Sequence, residues 1–307
     1  MIQRIKDKVR RDTRNILFRR ESARVHYNPS ENYYIFSDPR GGSTWLTEIL
    51  MRILKLPVIW EPLHLDYHPN LRSLNFSWRT FLQPNDEWPA LKVTMEEVLS
   101  GKVLNHNLCH LNRPGDYKQT RHALVKFCRA NGIYPWLAKH IAFNNKPVHL
   151  VRHPFAVAVS QMKQGAWDHK FEGIEIPSAP FNSYYLQHQE FLLSLSTKLE
   201  SLVAYWSMGN ALILKYESEL IRVYYEDLYL NPQKEVQRIL DGWGIEQKVT
   251  AKDSLTQLSK TTVDFSLQNQ LSKWTSYLDQ SQIKSMLRVL EYFEVDIYSD
   301  NPLPIRR

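Results

Sequence analysis

The sequence has little cysteine and no long apolar segment. Its two cysteines, Cys109 and Cys128, exclude a disulfide framework and favour a reducing compartment. No run of about 18 apolar residues is present, so no membrane-spanning helix is predicted. The N-terminus is rich in charge and lacks the apolar stretch of a secretory signal. We therefore expect a cytoplasmic protein.

Glycine is also scarce, at 10 of 307 residues, yet Gly41 and Gly42 stand side by side. They lie between an apolar run at Tyr33–Ser37 and an amphipathic pattern at Thr44–Leu54. Adjacent glycines where a strand leads into a helix let a ligand approach the backbone N–H groups closely. The pattern therefore indicates a site for a phosphate-like anion. The alternative is an ordinary turn that uses glycine for its positive φ.

Basic charge is concentrated near the N-terminus. Residues 1–24 hold nine Lys and Arg against three Asp and Glu, a net +6 of the chain's +7. Four apolar residues recur there at helical spacing: Ile2, Ile5, Val9 and Ile16. We expect an extension over residues 1–30 with a basic amphipathic helix that contacts a membrane surface or packs on its own domain. Without interleaved aromatic residues, it is not expected to bind nucleic acid.

Residues 31–307 have the pattern of a single α/β domain. Candidate strands are Tyr33–Ser37, Pro57–Trp60, Ala123–Phe127, Val148–Val151 and Val223–Tyr225. Helical patterns lie between or after them, at Thr44–Leu54, Pro135–Phe143, Phe155–Met162, Glu190–Leu214, Pro232–Asp241 and Gln280–Phe293. This alternation predicts three layers, with a mostly parallel central sheet and helices on both faces. Ligands of such sheets bind where strands end and helices begin.

A second junction of strand and helix offers a second candidate anion site. Arg152 follows the run Val148–Val151, and Ser160 lies eight residues further, in the helix that Pro154 starts. The two junctions together predict two separated anionic groups on one ligand, and a surface salt bridge is the alternative for Arg152. No lysine precedes Ser43, so the Walker pattern of ATP and GTP sites is absent and a kinase is disfavoured.

These segments resemble the motifs of sulfotransferases that use 3′-phosphoadenosine 5′-phosphosulfate (PAPS). Pro39–Trp45 is similar to their 5′-phosphosulfate loop, and Arg152 with Ser160 to their 3′-phosphate motif. Residues 222–245 resemble the Tyr-Glu-Asp-Leu segment and following helix, and residues 270–293 are a looser match to the C-terminal end. The resemblance spans residues 32–298. It implies a fold akin to P-loop kinases, PAPS as the cofactor and adenosine 3′,5′-bisphosphate (PAP) as a product.

The resemblance also implies roles for individual residues. The implied cofactor-binding residues are Arg40, Gly41, Gly42, Ser43, Thr44, Trp45, Arg152, Ser160, Tyr225 and Lys273. Arg40 would neutralise charge on the leaving phosphate and the sulfonate, while Trp45 and Tyr225 would contact the adenine. Lys126 resembles the family's strand-end lysine near the transferring group, and a solvated lysine is the alternative.

An acceptor hydroxyl must lose a proton, so a general base is expected. Cytosolic aryl and steroid sulfotransferases keep a histidine two residues after the strand-end lysine, where this chain has Cys128. Glu61 instead resembles the Glu-Pro-Leu segment of carbohydrate sulfotransferases, whose glutamate is thought to be the base. Between Trp60 and Pro62 we expect partial desolvation and a raised pKa for Glu61. A glutamate that caps a loop or pairs with an arginine is the alternative, and His64 is the reserve base.

The sequence therefore predicts sulfuryl transfer from PAPS to a hydroxyl, most plausibly of a carbohydrate or glycolipid presented at a membrane face. A small-alcohol or tyrosyl acceptor, and a catalytically silent nucleotide-binding module, stay open as alternatives. His64 with His68, and the histidines of residues 106–110, have spacings that a metal could use, but no metal is expected, and these side chains are expected to line the acceptor cleft or the surface. The aromatic stretch at 167–185 is either a substrate lid or a loop packed by its own rings.

Overall fold

The computed structural model describes residues 2–68, 70–165, 173–178, 180–250 and 270–305. Within them, five strands form one sheet in the order β2-β3-β1-β4-β5, and every neighbouring pair is parallel. The strands are β1 Tyr33–Ser37, β2 Val58–Trp60, β3 Leu124–Phe127, β4 Val148–Val151 and β5 Ile221–Tyr224. The predicted parallel α/β architecture is confirmed, and β1 lies at its centre.

Helices connect and cover the strands. The α-helices described are α1 Ile2–Ser22, α2 Ser43–Leu54, α3 Asn70–Ser73, α4 Pro89–Leu99, α5 Tyr134–Ile141, α6 Pro154–Lys163, α7 Ser183–Gln187, α8 Gln189–Ser194, α9 Lys198–Ile213, α10 Tyr225–Leu230, α11 Pro232–Gly242 and α12 Gln280–Tyr292. Short 3-10 turns occupy Pro29–Glu31, Tyr117–Gln119, Asn131–Ile133, Leu214–Glu219 and Lys273–Ser276. None of the helices in the described ranges combines the length and apolar character of a bilayer-crossing segment.

The alternation of side chains along β1 explains the three layers. Tyr34 and Phe36 point into the apolar cluster that contains residues of α4 and α5. Ile35 points to the opposite face, into the cluster that contains residues of α2 and α11. Both faces of the strand are therefore covered, as expected for a parallel sheet. A third cluster joins α6, α9 and α12 beside β4.

Two predicted elements differ from the structure in instructive ways. The pattern at Glu190–Leu214 is two helices, because Thr197 caps α9 through a reciprocal pair of hydrogen bonds with Glu200 and so starts a new helix. The last predicted strand ends one residue early, at Tyr224, and Tyr225 begins α10. Of the stretch predicted as a lid, residues 167–172 and 179 lie outside the described residues.

The predicted N-terminal helix is present as α1. Its C-terminal half is fastened to the domain, because Phe18 is fully buried in the same apolar cluster as Tyr34 and Phe36. Arg14 Nη2 also donates to the carbonyl of Asn112 at 2.8 Å. The division of the chain at residue 30 stays a prediction.

Candidate functional site

The loop between β1 and α2 holds the chain in left-handed conformations. Arg40 has a φ of +70°, and Gly42, the residue before α2, has a φ of +92°. The N–H of Gly41 donates to the carbonyl of Asp38 at 2.9 Å and closes the turn. Glycine is required at position 42, because a Cβ there would lie 2.4 Å from the ring of Tyr225.

This loop leads into the backbone N–H groups at the start of α2. The first N–H groups of a helix have no acceptor within the helix and carry about half a positive charge. Among the described residues, none accepts from the backbone N–H groups of Gly42, Ser43 or Thr44. The start of α2 is therefore a cradle suited to an anion.

The second junction converges on the same loop. Arg152, just past the end of β4, donates from Nη1 to the carbonyl of Arg40 at 3.0 Å. Arg40 in turn donates from Nε to the hydroxyl of Ser160 on α6, also at 3.0 Å. The guanidinium carbon of Arg152 lies 4.2 Å from the ring centroid of Tyr225, and Trp45 meets that ring edge-on at 6.1 Å. Residues 112 positions apart in the chain thus share one site.

The two guanidinium groups are not neutralised by the protein. No carboxylate in the described part of the chain forms an ion pair with Arg40 or Arg152. Burial, followed by the charge of Arg152, lowers the pKa of Arg40. An arginine retains its proton at neutral pH even so. The charge of Arg152 also acts on the buried Glu226 carboxyl, whose pKa burial nevertheless raises. Two cations held close together without an ion-paired carboxylate make a site that favours a doubly charged anion.

A second charged cluster lies where β2 and β3 end side by side. Glu61 adopts a φ of +43°, and its N–H donates to the carbonyl of Lys126 at 2.8 Å. Its carboxylate accepts from Lys126 Nζ at 2.7 Å and from Arg129 Nη1 at 2.9 Å. Lys126 is 1% exposed, and its ammonium lies 3.6 Å from the ring centroid of Trp60.

The pKa expected for Glu61 is wrong in direction. Burial by itself would raise the pKa of Glu61, but the charges of Lys126 and Arg129 outweigh burial and lower that pKa to about 2. The segment around Glu61 indicates desolvation, and pairing with an arginine is the alternative, without a named partner. The structure shows both, and the pairing dominates.

Cys128 and Lys126 are both buried, but the thiol is neutral and the ammonium group is charged. Burial raises the pKa of the Cys128 thiol, so this group is protonated at neutral pH, and its sulfur lies 3.2 Å from the hydroxyl of Ser43. Burial disfavours the charged form of Lys126, but anionic neighbours outweigh it and raise the lysine pKa. Because Cys128 is neutral, the carboxylate of Glu61 is the anion that keeps Lys126 charged.

One cavity of about 710 Å³ joins the two clusters. The predicted site residues that line it are Arg40, Gly42, Ser43, Thr44, Trp45, Glu61, Lys126, Arg152, Ser160, Tyr225 and Lys273. Gly41 is not among the lining residues, because it turns the loop from behind. His64 does not line it either, and its ring stacks on Tyr67 at 3.7 Å between centroids. The structure therefore does not bring the reserve base to the cavity.

The histidines of the described ranges show no arrangement suited to a metal. His68 is fully buried, and neither of its ring nitrogens has a hydrogen-bond partner among the described residues. His110 lies edge-on to Trp60 at 4.4 Å and lines the cavity. Across the described ranges, no group of three or more His, Cys, Asp or Glu side chains is placed to hold an ion.

Several lining residues were not predicted. Arg129 is the clearest, since it binds Glu61 and stacks over Trp78 at 4.5 Å from its centroid. Its place three residues after Lys126, at the end of the same strand, is a signal that the sequence contains. Tyr67, Asn107 and His110 lie in irregular segments, where no periodic pattern indicates which way a side chain faces.

Comparisons with known proteins identify the family. The family model described as "Sulfotransferase domain" matches residues 31–291. A sulfotransferase domain from the Synechococcus PCC 7002 olefin synthase is 21% identical, with a TM-score of 0.47, and the match covers 89% of this chain and 98% of that one. Mouse sulfotransferase SULT7A1 complexed with PAP is 12% identical, with a TM-score of 0.44, over 86% of this chain and 84% of that one. No curated protein matches the chain. The family match over most of its length shows that this chain belongs to the PAPS-dependent sulfotransferases.

Proposed function

We propose that this enzyme transfers the sulfuryl group of PAPS to a hydroxyl of a carbohydrate or glycolipid. The observation that carries the proposal is the single cavity in which two unneutralised arginines, a helix N-terminus and a Glu61–Lys126 pair face one another. The first two features suit a nucleotide with two separated anionic groups. The third suits proton removal and charge neutralisation at a reacting hydroxyl.

The residues present fit PAPS. The backbone donors of Gly42, Ser43 and Thr44, with Arg40, would hold the 5′-phosphosulfate end. Arg152 and Ser160 would hold the 3′-phosphate. Two aromatic rings, of Trp45 and Tyr225, would contact the adenine, and Lys273 lies on the same wall of the cavity.

When bound, PAPS supplies an activated sulfuryl group, with PAP as the leaving group. Charge in such transfers spreads over the oxygens of the moving group, so positioned cations stabilise the transition state. Arg40 and Lys126 both line the cavity, as do Ser43 and Cys128. Lys126 is already charged and buried, and its ion pair with Glu61 holds it beside the cavity before PAPS binds.

Glu61 is the base in this proposal. With a pKa of about 2, it is ionised at every pH near neutrality and is ready to accept a proton, although it is a weak base in this state. Its weakness comes from Lys126 and Arg129. When Lys126 turns its ammonium group toward a transferring sulfonate, Glu61 loses one of these partners and its pKa rises.

The acceptor wall favours a sugar. Tyr67, Asn107 and His110 line the cavity together with Trp60 and Arg129, near Glu61. Aromatic faces beside amide and guanidinium donors suit a ring that carries hydroxyl groups, which needs both apolar contact and hydrogen bonds. The replacement of the family's histidine by Cys128 also points away from small phenols.

A Glu61→Gln variant tests the role of the base. We expect sulfuryl transfer to fall at least about 10²-fold, while PAP affinity, measured by titration calorimetry, is unchanged or tighter. The matched control is Glu246→Gln, the same substitution at an exposed position. Thermal stability will fall in either case, because the ion pair with Lys126 is lost. If Glu61 only holds Lys126 in place, PAP affinity will fall with the rate, and the base assignment is then wrong.

A panel of acceptors tests the substrate class. The enzyme is incubated with labelled PAPS and separate glycans, glycolipids, phenols and tyrosyl peptides, and products are detected by their mass shift. Transfer to a glycan or glycolipid supports the proposal, and transfer confined to phenols or tyrosyl peptides contradicts it. PAP binding without transfer to any acceptor would favour a silent nucleotide-binding module.

A further inference from the structure

Helix α1 has one face that is fastened to the domain. Phe18 is fully buried, and Arg14 Nη2 donates to the carbonyl of Asn112 at 2.8 Å. Glu21 accepts from the N–H of Gly115 at 2.7 Å. These three side chains are three or four residues apart and share one side of the helix. The rotation of α1 about its own axis is therefore set by the domain.

The opposite face of α1 is apolar and exposed. At about 100° per residue, Ile5, Val9 and Ile16 fall within about 40° of one another and about half a turn from Phe18. Their exposed fractions are 56%, 60% and 53%. We call these three residues the outer stripe. A row of large apolar side chains held away from the core marks a contact surface.

Cations flank the outer stripe. Lys8 and Arg19 lie on one side of it, Lys6 and Arg20 lie on the other, and all four are exposed. Asp12 is an acidic residue beside the outer stripe, and its Oδ1 lies 3.7 Å from Nε of Arg11. Because residues 1–24 carry a net +6, the partner of this face must be negatively charged and apolar beneath its charge.

We propose that the outer stripe docks on the surface of an anionic lipid bilayer. The three apolar side chains enter the boundary between headgroups and acyl chains, and the flanking cations contact the anionic headgroups. A second copy of α1 would set +6 against +6 and is disfavoured by repulsion. A nucleic acid would satisfy the cations but leave the stripe in water.

The fastened side of α1 connects this surface to the cavity. The backbone N–H of His106 donates to the Asn15 side chain at 2.8 Å, and the adjacent Asn107 lines the cavity, as does His110. Docking would thus hold the acceptor wall near the bilayer, which suits a lipid-borne acceptor. This consequence rests on the proposed function. The docking itself does not, because its test involves no turnover.

The test is flotation of the full-length protein with vesicles. Wild type is expected to float with vesicles of phosphatidylcholine containing about 30% phosphatidylglycerol, and not with phosphatidylcholine alone. The bound fraction should fall when salt is raised from about 0.1 M to about 1 M. Equal flotation with both vesicle types, or none with either, overturns the proposal.

Variants assign the surface. Replacing Ile5, Val9 and Ile16 together by serine should weaken partition at least about tenfold, whereas Asp12→Lys should strengthen it. The matched control replaces Val93 and Leu193, which are 53% and 59% exposed, by serine. PAP titration of every variant checks that the fold is intact.

Unchanged flotation of the stripe variant contradicts the proposal. So does sedimentation showing that wild type dimerises without lipid and the stripe variant does not, since the stripe would then bind a second copy. Tighter binding of duplex DNA than of anionic vesicles would assign the cations to nucleic acid and would also overturn it.

Discussion

At the scale of single residues, two side chains that line the cavity belong to residues with a left-handed backbone conformation. Arg40 and Glu61 have φ values of +70° and +43°, which residues with a Cβ adopt at a cost. Each is held there by hydrogen bonds, from Arg152 to the carbonyl of Arg40 and from the N–H of Glu61 to Lys126. Strain that the surroundings maintain at both proposed catalytic side chains is consistent with preorganisation for chemistry.

Behind the loop lies a half-buried acid that neither motif predicted. Asp38 accepts from Asn210 Nδ2 at 2.8 Å and more weakly from Asn131 at 3.4 Å, and Asn210 Oδ1 lies 3.0 Å from His149 Nε2. Burial raises the pKa of Asp38 to about 7, although the Asn210 hydrogen bond and the charge of Arg79 oppose that rise. The acid that supports the turn before Arg40 therefore titrates near neutrality.

This titration predicts a pH-dependent stability. Below the ordinary value of 3.8, Asp38 is protonated in both states; between that value and about 7, the unfolded chain releases the proton that the folded chain retains. The contribution of Asp38 to the free energy of unfolding is then lost as pH rises through about 7. In Asp38→Asn, we expect the melting temperature relative to wild type to rise across this window.

Scanning calorimetry between about pH 4 and about pH 8 measures the effect. The control is Asp300→Asn, the same substitution at an exposed position. A constant offset between the Asp38→Asn and wild-type curves would show that Asp38 does not titrate in this window, whatever the size of the offset.

At the scale of elements, the site depends on how closely α10 approaches the loop before α2. Tyr225, the first residue of α10, covers Gly42, and the guanidinium of Arg152 lies over the same ring. The next residue, Glu226, accepts from the N–H of His153 at 3.0 Å and from the hydroxyl of Tyr298 at 2.7 Å. Two strand ends are thus joined beneath the proposed nucleotide site.

Gly42→Ala tests this packing. The new methyl would lie 2.4 Å from the Tyr225 ring, so the ring must move, and we expect PAP affinity to fall at least about tenfold by titration calorimetry. Gly115→Ala is the matched control: its φ of +108° gives comparable backbone strain, but nothing lies within 4 Å of the added atom. Equal losses of PAP affinity in both variants would show that strain, and not the ring contact, is responsible.

At the scale of the whole molecule, α1 divides into two functional halves. Its C-terminal half adds Phe18 to the main cluster, edge-on to Tyr117 at 6.1 Å. Its N-terminal half has exposed side chains over residues 3–13. The C-terminal half therefore contributes to folding, whereas the N-terminal half is available for a partner.

Two truncations separate these contributions. Removing residues 2–10 should leave the melting temperature unchanged within about 1 °C, because the described side chains of residues 3–10 are all exposed. Removing residues 2–24 should lower it by about 5 °C or more, since burying one phenylalanine stabilises by about 2–3 kcal/mol. Equal melting temperatures for the two truncations would mean that α1 contributes nothing to the fold.

The sequence by itself determined the local elements and the nucleotide motifs. The apolar run at Tyr33–Ser37 matches β1, and the amphipathic pattern after it matches α2 to within one residue. Such periodicities reflect burial on one face and are written in neighbouring residues. The glycine pair and the arginine after Val151 were also recognisable, because a backbone cradle and a strand-end cation are features of short segments.

Only the tertiary structure decided which groups meet across the sheet. Glu61 is paired with Lys126 and Arg129, 65 and 68 residues away, and these charges reverse the direction of the pKa shift that desolvation alone would cause. His64 stacks on Tyr67 and is not among the residues that line the cavity. Local sequence indicates that a group is near a strand end, but its protonation and direction depend on neighbours that strand order brings together.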